Sequence, residues 1–367
     1  MAAPGVTAAG ALESDLTPDL LSFRDGFGAF ASAKYYAAND WTTVRGMSGN
    51  WTDRYTPRDG RNLALAFARA EIGASYGSWR LSYQYRKDVI IDTNRDVLDL
   101  LYYQRNNLPI PIGRTFSVKL DAQALEAEGP RIAKNFELSW GEGAKVRAGV
   151  AAASLTGSTV RSTHIDGQAT STGPGTYSIE VPWLDSYSNK SYRFITPGSP
   201  SGKGYSLDAA IDVQWPGGNR AWLSVEDLYS RISWREIPST VARATTSTTT
   251  RDAQGFIIYL PAVAGTNSRL EFTQRLDPKT SAGYSKSYGP FTAAAGVLFV
   301  RGFAIPSLNV DYRYGQHWRV GIARDFRFDT DSLSLSWDNL SLALTSDRRD
   351  LAQARALGIA FRYSYAF

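Results

Sequence analysis

Polar and apolar positions in this 367-residue chain alternate with a period of two over stretches of about ten residues. In "SWRLSYQYR", Trp79, Leu81, Tyr83 and Tyr85 oppose Arg80, Ser82, Gln84 and Arg86. In "KGYSLDAAIDVQW", Tyr205, Leu207, Ala209, Ile211, Val213 and Trp215 oppose Ser206, Asp208, Ala210, Asp212 and Gln214. "HWRVGIARDFRF" sets Trp318, Val320, Ile322, Phe326 and Phe328 against His317, Arg319, Gly321, Asp325 and Arg327, with Arg324 breaking the pattern. Segments 115–124, 131–140, 308–314, 331–337, 340–345 and 357–367 read the same way, whereas 63–74, 159–183 and 255–276 have mixed parity.

About ten residues is the length a tilted strand needs to cross a bilayer. Sandwich strands average five or six. The apolar faces here also begin and end in aromatics. Since only helices and closed barrels satisfy every backbone polar group in lipid, the pattern predicts an all-β fold. It is a transmembrane, antiparallel, up-and-down barrel of about 14–16 strands. Four tight connections, "SYGSWR" (75–80), "QWPGGNRAW" (214–222), "RYGQHWR" (313–319) and "SWDNLS" (336–341), carry turn residues beside aromatic rings. They predict short periplasmic turns with a girdle of Tyr76, Trp79, Trp215, Trp222, Tyr314, Trp318 and Trp337 at headgroup level. The polar stretches 38–61, 88–113, 157–202 and 235–254 then read as long extracellular loops. Within 88–113, "VLDLLYY" (97–103) is dense enough in apolar residues for a short helix or an inward-folded loop.

Composition agrees. Aromatics make up 13% of the chain, with 20 Tyr and 10 Trp, yet mean hydropathy is −0.28. That combination fits a wall with lipid on one side and water on the other. A net charge of +5 without a basic run argues against nucleic acid. With no Cys and only two His, disulfides, thiolate metal sites and imidazole zinc sites are not expected, and no cofactor is implied. The longest apolar run, "FTAAAGVLFV" (291–300), is about half of what a spanning helix needs. The opening "MAAPGVTAAGALESDL" lacks the basic and apolar regions of an intact leader. Residues 1–24 are expected to form a flexible periplasmic segment or a small plug, and 25–367 the barrel.

The last strand, "LGIAFRYSYAF", ends on alternating aromatics and Phe367. With the dyad strands and aromatic turns, it resembles the outer-membrane β-barrel proteins of Gram-negative bacteria, from about residue 25 to the end. The resemblance implies an outer-membrane location and contact with membrane lipid and lipopolysaccharide. It also implies that Tyr363, Tyr365 and Phe367 form the signal read by the barrel-assembly machinery. A homo-oligomer or a surface partner is compatible with it.

Strand parity points Arg80, Arg86, Lys119, Arg147, Arg313, Arg319, Arg327, Arg362, Asp311 and Asp325 into the lumen. Opposite charges on neighbouring strands hold a wall in shape. A basic surplus lowers the barrier for anions. For Arg313, Arg319 and Arg327, pairing with Asp311 and Asp325 is the simpler reading; for Arg80, Arg86 and Arg147 the two readings are balanced. His317 stands at a lumen-parity position beside a rim turn and His164 in an irregular segment, and a lone lumen histidine reads as a polar wall residue, so an enzyme is not expected. Three roles follow. The first is a porin-like channel passing small polar solutes with a weak anion preference. The second is an anchor or assembly partner for a surface or secreted component. The third is a lateral-opening transporter of hydrophobic molecules.

Overall fold

The computed structural model describes residues 20–21, 26–49, 51, 55–140, 143–173, 176–192, 199–246, 249–251, 254, 257–259 and 262–367. In chain order the strands begin with β1 (Phe27–Asn39), β2 (Arg61–Tyr76), β3 (Trp79–Asn94), β4 (Thr115–Trp140), β5 (Ala144–Gly173) and β6 (Thr176–Tyr187). Next come β7 (Ser201–Trp215), β8 (Asn219–Thr245), β9 (Thr249–Arg251), β10 (Ile257–Tyr259), β11 (Ala262–Gln274) and β12 (Lys279–Tyr288). The last six are β13 (Phe291–Val300), β14 (Phe303–Tyr314), β15 (Trp318–Asp325), β16 (Thr330–Trp337), β17 (Leu340–Ser346) and β18 (Ala356–Ala366). A helix, α1 (Arg95–Arg105), follows β3. No helix among the described residues is long and apolar enough to cross a membrane.

Fourteen strands close into an antiparallel barrel. The ring runs from β1 to β5, through β7 and β8, and on from β12 to β18. It closes where β18 pairs with β1 in the register Ala31↔Tyr363 and Ala29↔Tyr365, so the terminal strand has no free edge. The Phe367 N–H donates to the Phe27 carbonyl at 2.9 Å, and the two rings lie 5.2 Å apart. Tyr363, Tyr365 and Phe367 are all exposed on the outer wall.

The four predicted turns all close hairpins, and 288–291 and 140–144 close two more at the same rim. Gly77 at φ +55° and Asp338 at φ +46° occupy the left-handed region that glycine and Asp tolerate. The third alternating segment is shorter than its pattern. β15 ends at Asp325, and Phe326, Arg327 and Phe328 belong to the turn before β16.

The opposite rim differs more from expectation. Of the predicted loops, 88–94 continues β3 and 95–105 is helix α1. Most of 157–202 is strand, in β5 and β6, and β8 extends through Thr245. Outside the ring, β4, β5, β6, β8 and β11 make a sheet that rises above the barrel, β6 pairing with both β5 and β8 and β11 with β8. Such a sheet has water on both sides, so its strands lose the apolar alternation that marks a membrane span. β4 bends at Gly129 (φ +156°), where an added Cβ would fall 2.0 Å from the Ser154 carbonyl oxygen. The β4–β5 register slips nearby, between Glu126 and Ala127.

Candidate functional site

The lumen has three levels. At the periplasmic level its wall is polar and partly open. Asp212 accepts from Arg147 at 3.0 Å and Gln214 at 3.1 Å and also pairs with Arg220. Arg362 is half-buried at lumen parity, and Arg313 faces Arg319 across the β14–β15 ladder. Buried Asp311 takes the Asn309 amide at 3.2 Å. Above this ring, Leu20 is buried against Ala133, Ala151 and Ala210. Residues 20 and 21 therefore lie inside the lumen, while most of the 1–24 segment lies outside the described residues.

The middle level is ionic and crosses the barrel. Arg69 on β2 pairs with Asp88 and, at 2.5 Å, with Glu226 on β8. Arg86 on β3 contacts Asp88 at 2.5 Å and grips Asp227 with both terminal nitrogens at 2.8 and 2.7 Å. Lys279 of β12 reaches Asp227 at 2.7 Å and Glu226 at 3.6 Å. Arg131 joins Asp208 at 3.0 Å to Glu71 at 3.4 Å, and Arg80 also reaches Glu71 at 3.4 Å. Ser206 and Ser82 each donate a 2.6 Å bond to this set, to Asp227 and Glu71 respectively. Five acids and five bases balance formally, and nearly all are buried. Asp88, Glu226 and Asp227 approach within 4.8 Å of one another, a spacing a cation could use, but Arg69, Arg86 and Lys279 already occupy that role.

The backbone makes this cluster possible. β8 bulges at 226–228 against Asp208, with Asp227 at φ +57° and its N–H bonded to Asp208 Oδ1 at 3.0 Å. Glu226 and Asp227, adjacent in sequence, are thereby both buried in the lumen instead of on opposite faces.

The extracellular level is apolar and packed wall to wall. Tyr36, Leu63, Leu65, Phe67 and Ile90 of β1–β3 meet Leu298, Val300, Phe303 and Ile305 of β13 and β14. Beside them Leu125, Leu155 and Val160 pack on Ile232, Trp234 and Ile237. Over the mouth, Leu98 of α1 packs with Trp41 and Trp51, and the rings of Trp51, Tyr55 and Tyr102 stack at 5.9 and 4.3 Å.

Tyr55 in this cap donates to Asp99 Oδ1 at 2.6 Å. Burial, then that bond to a carboxylate, push its phenol well above the ordinary tyrosine range. The raised value means the stabilisation is full below about pH 10, where free tyrosine is still protonated, and falls at higher pH as the unfolded chain ionises first. Tyr55→Phe is therefore expected to flatten the alkaline limb of stability against pH, read by tryptophan fluorescence during urea unfolding. An alkaline limb equally steep in the variant counts against the bond.

Arg80, Arg86 and Arg147 face the lumen, and all three are paired. Lys119 instead lies exposed on the upper part of β4, outside the lumen. Arg327 caps the β15–β16 turn and pairs with Asp40 at 2.5 Å, because β15 has already ended. Asp325 accepts turn amides from Arg327 at 2.7 Å and Phe328 at 3.2 Å instead of pairing with an arginine of the wall. Trp222 leaves the girdle. Its ring lies over Gly283, where a Cβ would be 2.2 Å away, so it fills lumen space while its neighbour Leu223 faces out. Tyr76, Trp79, Trp215, Tyr314, Trp318 and Trp337 are exposed on the outer wall, and the Trp318 and Trp337 rings stack at 5.7 Å. Trp140, Tyr288 and Phe291 complete that rim; the 288–291 turn was missed for want of a long alternating run beside it, and the turn after Trp140 was missed although segment 131–140 alternates. His317 bonds Asp338 at 2.6 Å in an exposed turn, and His164 lies 3.8 Å from Asp121.

These features define the protein as a transmembrane β-barrel of the outer-membrane class. No protein-family model matches the chain. No curated protein matches it either. Among solved structures it is similar to a deltaS2 mutant of the TodX monoaromatic hydrocarbon channel. The identity is 8%, with 95% of this chain and 92% of that one covered, at a TM-score of 0.47. For the P. putida toluene transporter TodX the values are 9%, 94%, 91% and 0.44. For a Pseudomonas aeruginosa FadL homologue they are 11%, 92%, 89% and 0.36. At these values the likeness extends to a barrel of comparable length and no further.

Proposed function

We propose that the protein is an outer-membrane channel for small hydrophobic molecules, and that it is neither an open pore for polar solutes nor an enzyme. One observation carries this reading: the lumen axis is blocked by a balanced ionic layer beneath an apolar layer in which facing walls touch. A hydrated ion would have to shed its water to enter the upper layer, at a cost of several kcal/mol even after relaxation. An apolar molecule gains by entering it. The ionic layer below turns such a molecule aside. The wall is least regular at that height, where the β8–β12 ladder ends at Glu226↔Lys279 and β8 bulges. Sideways exit into the bilayer is therefore the expected path.

In planar bilayers the purified protein is expected to show no steady ionic conductance, and liposomes containing it should not swell in sugar solutions. Cells producing it should take up a hydrophobic fluorophore faster than cells with an empty vector. A stable ohmic conductance together with sugar-driven swelling would overturn the proposal in favour of a polar pore.

A further inference from the structure

On the outer wall, the Tyr205 and Tyr229 rings lie 5.9 Å apart. From Trp215 at the periplasmic rim to Tyr205, β7 covers about ten residues, one bilayer crossing, so this aromatic pair marks the outer headgroup level. Just beyond it stand Lys203 and Arg231, in the register Lys203↔Ser233 and Tyr205↔Arg231. The β8–β11 ladder reaches Ile232↔Gln274, which brings the next residue, Arg275, beside Arg231. Arg235, opposite Ser201, lies higher on the same face. All four cations are exposed, and none has an ion pair among the described residues. The neighbouring Glu236 is engaged by Arg269 at 3.7 Å and by the Ser199 N–H at 3.2 Å, and Glu271 of β11 borders the patch on its upper side, near Arg235. The arrangement contrasts with the lumen, where acids and bases balance.

Like charges on adjacent strands repel, and a cluster of them at headgroup height is complementary to an anion held in the membrane. We propose that Lys203, Arg231 and Arg275 bind the phosphate groups of an anionic glycolipid in the outer leaflet, with Arg235 as an upper contact. Arginine guanidinium groups suit phosphate by their paired, planar donors. The source is a lipid and not free phosphate, because the exposed strip of Leu207, Ile211 and Leu223 below the tyrosines provides a surface for acyl chains.

The test is native mass spectrometry of the detergent-purified chain with phosphorylated lipid A, dephosphorylated lipid A or inorganic phosphate added separately. The wild type should retain phosphorylated lipid A. The K203Q/R231Q/R275Q variant should retain it about tenfold less, as expected for loss of several charge-assisted bonds, and the dephosphorylated lipid should bind both chains equally weakly. Heat-modifiable gel migration reports whether the variant is folded, and R231Q alone, with a smaller loss, serves if the triple variant is not. Equal retention of the two lipids by the wild type, or retention unchanged by the substitutions, overturns the proposal. So does displacement of the lipid by inorganic phosphate at equal concentration, which would make the patch a free-anion site.

Discussion

Replacing Arg86 with methionine is expected to destabilise the barrel by about 3–5 kcal/mol, the range for removing one partner of a buried ion pair. Arg86 is buried and holds Asp227 by two bonds while touching Asp88 and, at 3.4 Å, Glu226. Without it, Asp88, Glu226 and Asp227 share only Arg69 and Lys279. The residual charge stands between Leu20 below and the apolar layer above. The measurement is urea unfolding of the folded protein in lipid vesicles, followed by tryptophan fluorescence. Pairing the change with Asp227→Leu should recover much of the loss, because replacing both partners by apolar groups removes the uncompensated charge. A single-variant loss below about 1 kcal/mol, the range of exposed pairs, would mean that water reaches the layer. The sealed lumen would then be wrong.

The same layer shows where sequence reading stops. Alternation identified the transmembrane strands because each of their faces meets one solvent, lipid or lumen. It placed Arg80 and Arg86 inside but not how near the opposite wall stands, since parity has no cross-barrel term. A signal for the packed upper lumen was nonetheless present. Segment 63–74 has mixed parity because Leu63, Leu65 and Phe67 face inward, where a hydrated pore would have polar residues. "FTAAAGVLFV" is apolar on both faces for the same reason, with Leu298 and Val300 inside and Phe299 outside. The reverse error concerns β5 beyond Thr156. Its upper part, polar on both sides, resembles a loop in sequence yet remains a strand above the membrane. Trp222 was assigned to the girdle by its nearness to a turn, although its shared parity with Arg220 and Ser224, opposite to Leu223, pointed inward.

The second large effect is expected at Trp234, the bulkiest of the fully buried side chains. Two glycines from neighbouring strands make its slot. An added Cβ at Gly157 would fall 2.3 Å from the indole, and one at Gly202 2.6 Å. The Nε1–H donates to Gln274 Oε1 at 2.9 Å, so the ring's single polar atom is satisfied at the end of β11. Trp234→Ala should therefore cost about 3–5 kcal/mol, the transfer loss plus the cavity that flanking strands cannot close. Trp234→Phe should cost less, because it refills most of the slot and forfeits mainly the bond to Gln274. Gly202→Val should be nearly as damaging as the alanine variant, since it drives a β-branched side chain into the indole. Because the cluster joins the upper lumen to the projecting sheet, proteolysis of the variants in outer-membrane vesicles should cut first within 157–187 or 232–245, the projecting parts of β5, β6 and β8, leaving the lower barrel intact. If Trp234→Ala and Trp234→Phe lose the same stability and neither exposes that region, the indole is not what couples sheet to barrel. The apolar layer would then be held by β1–β3 against β13 and β14 alone.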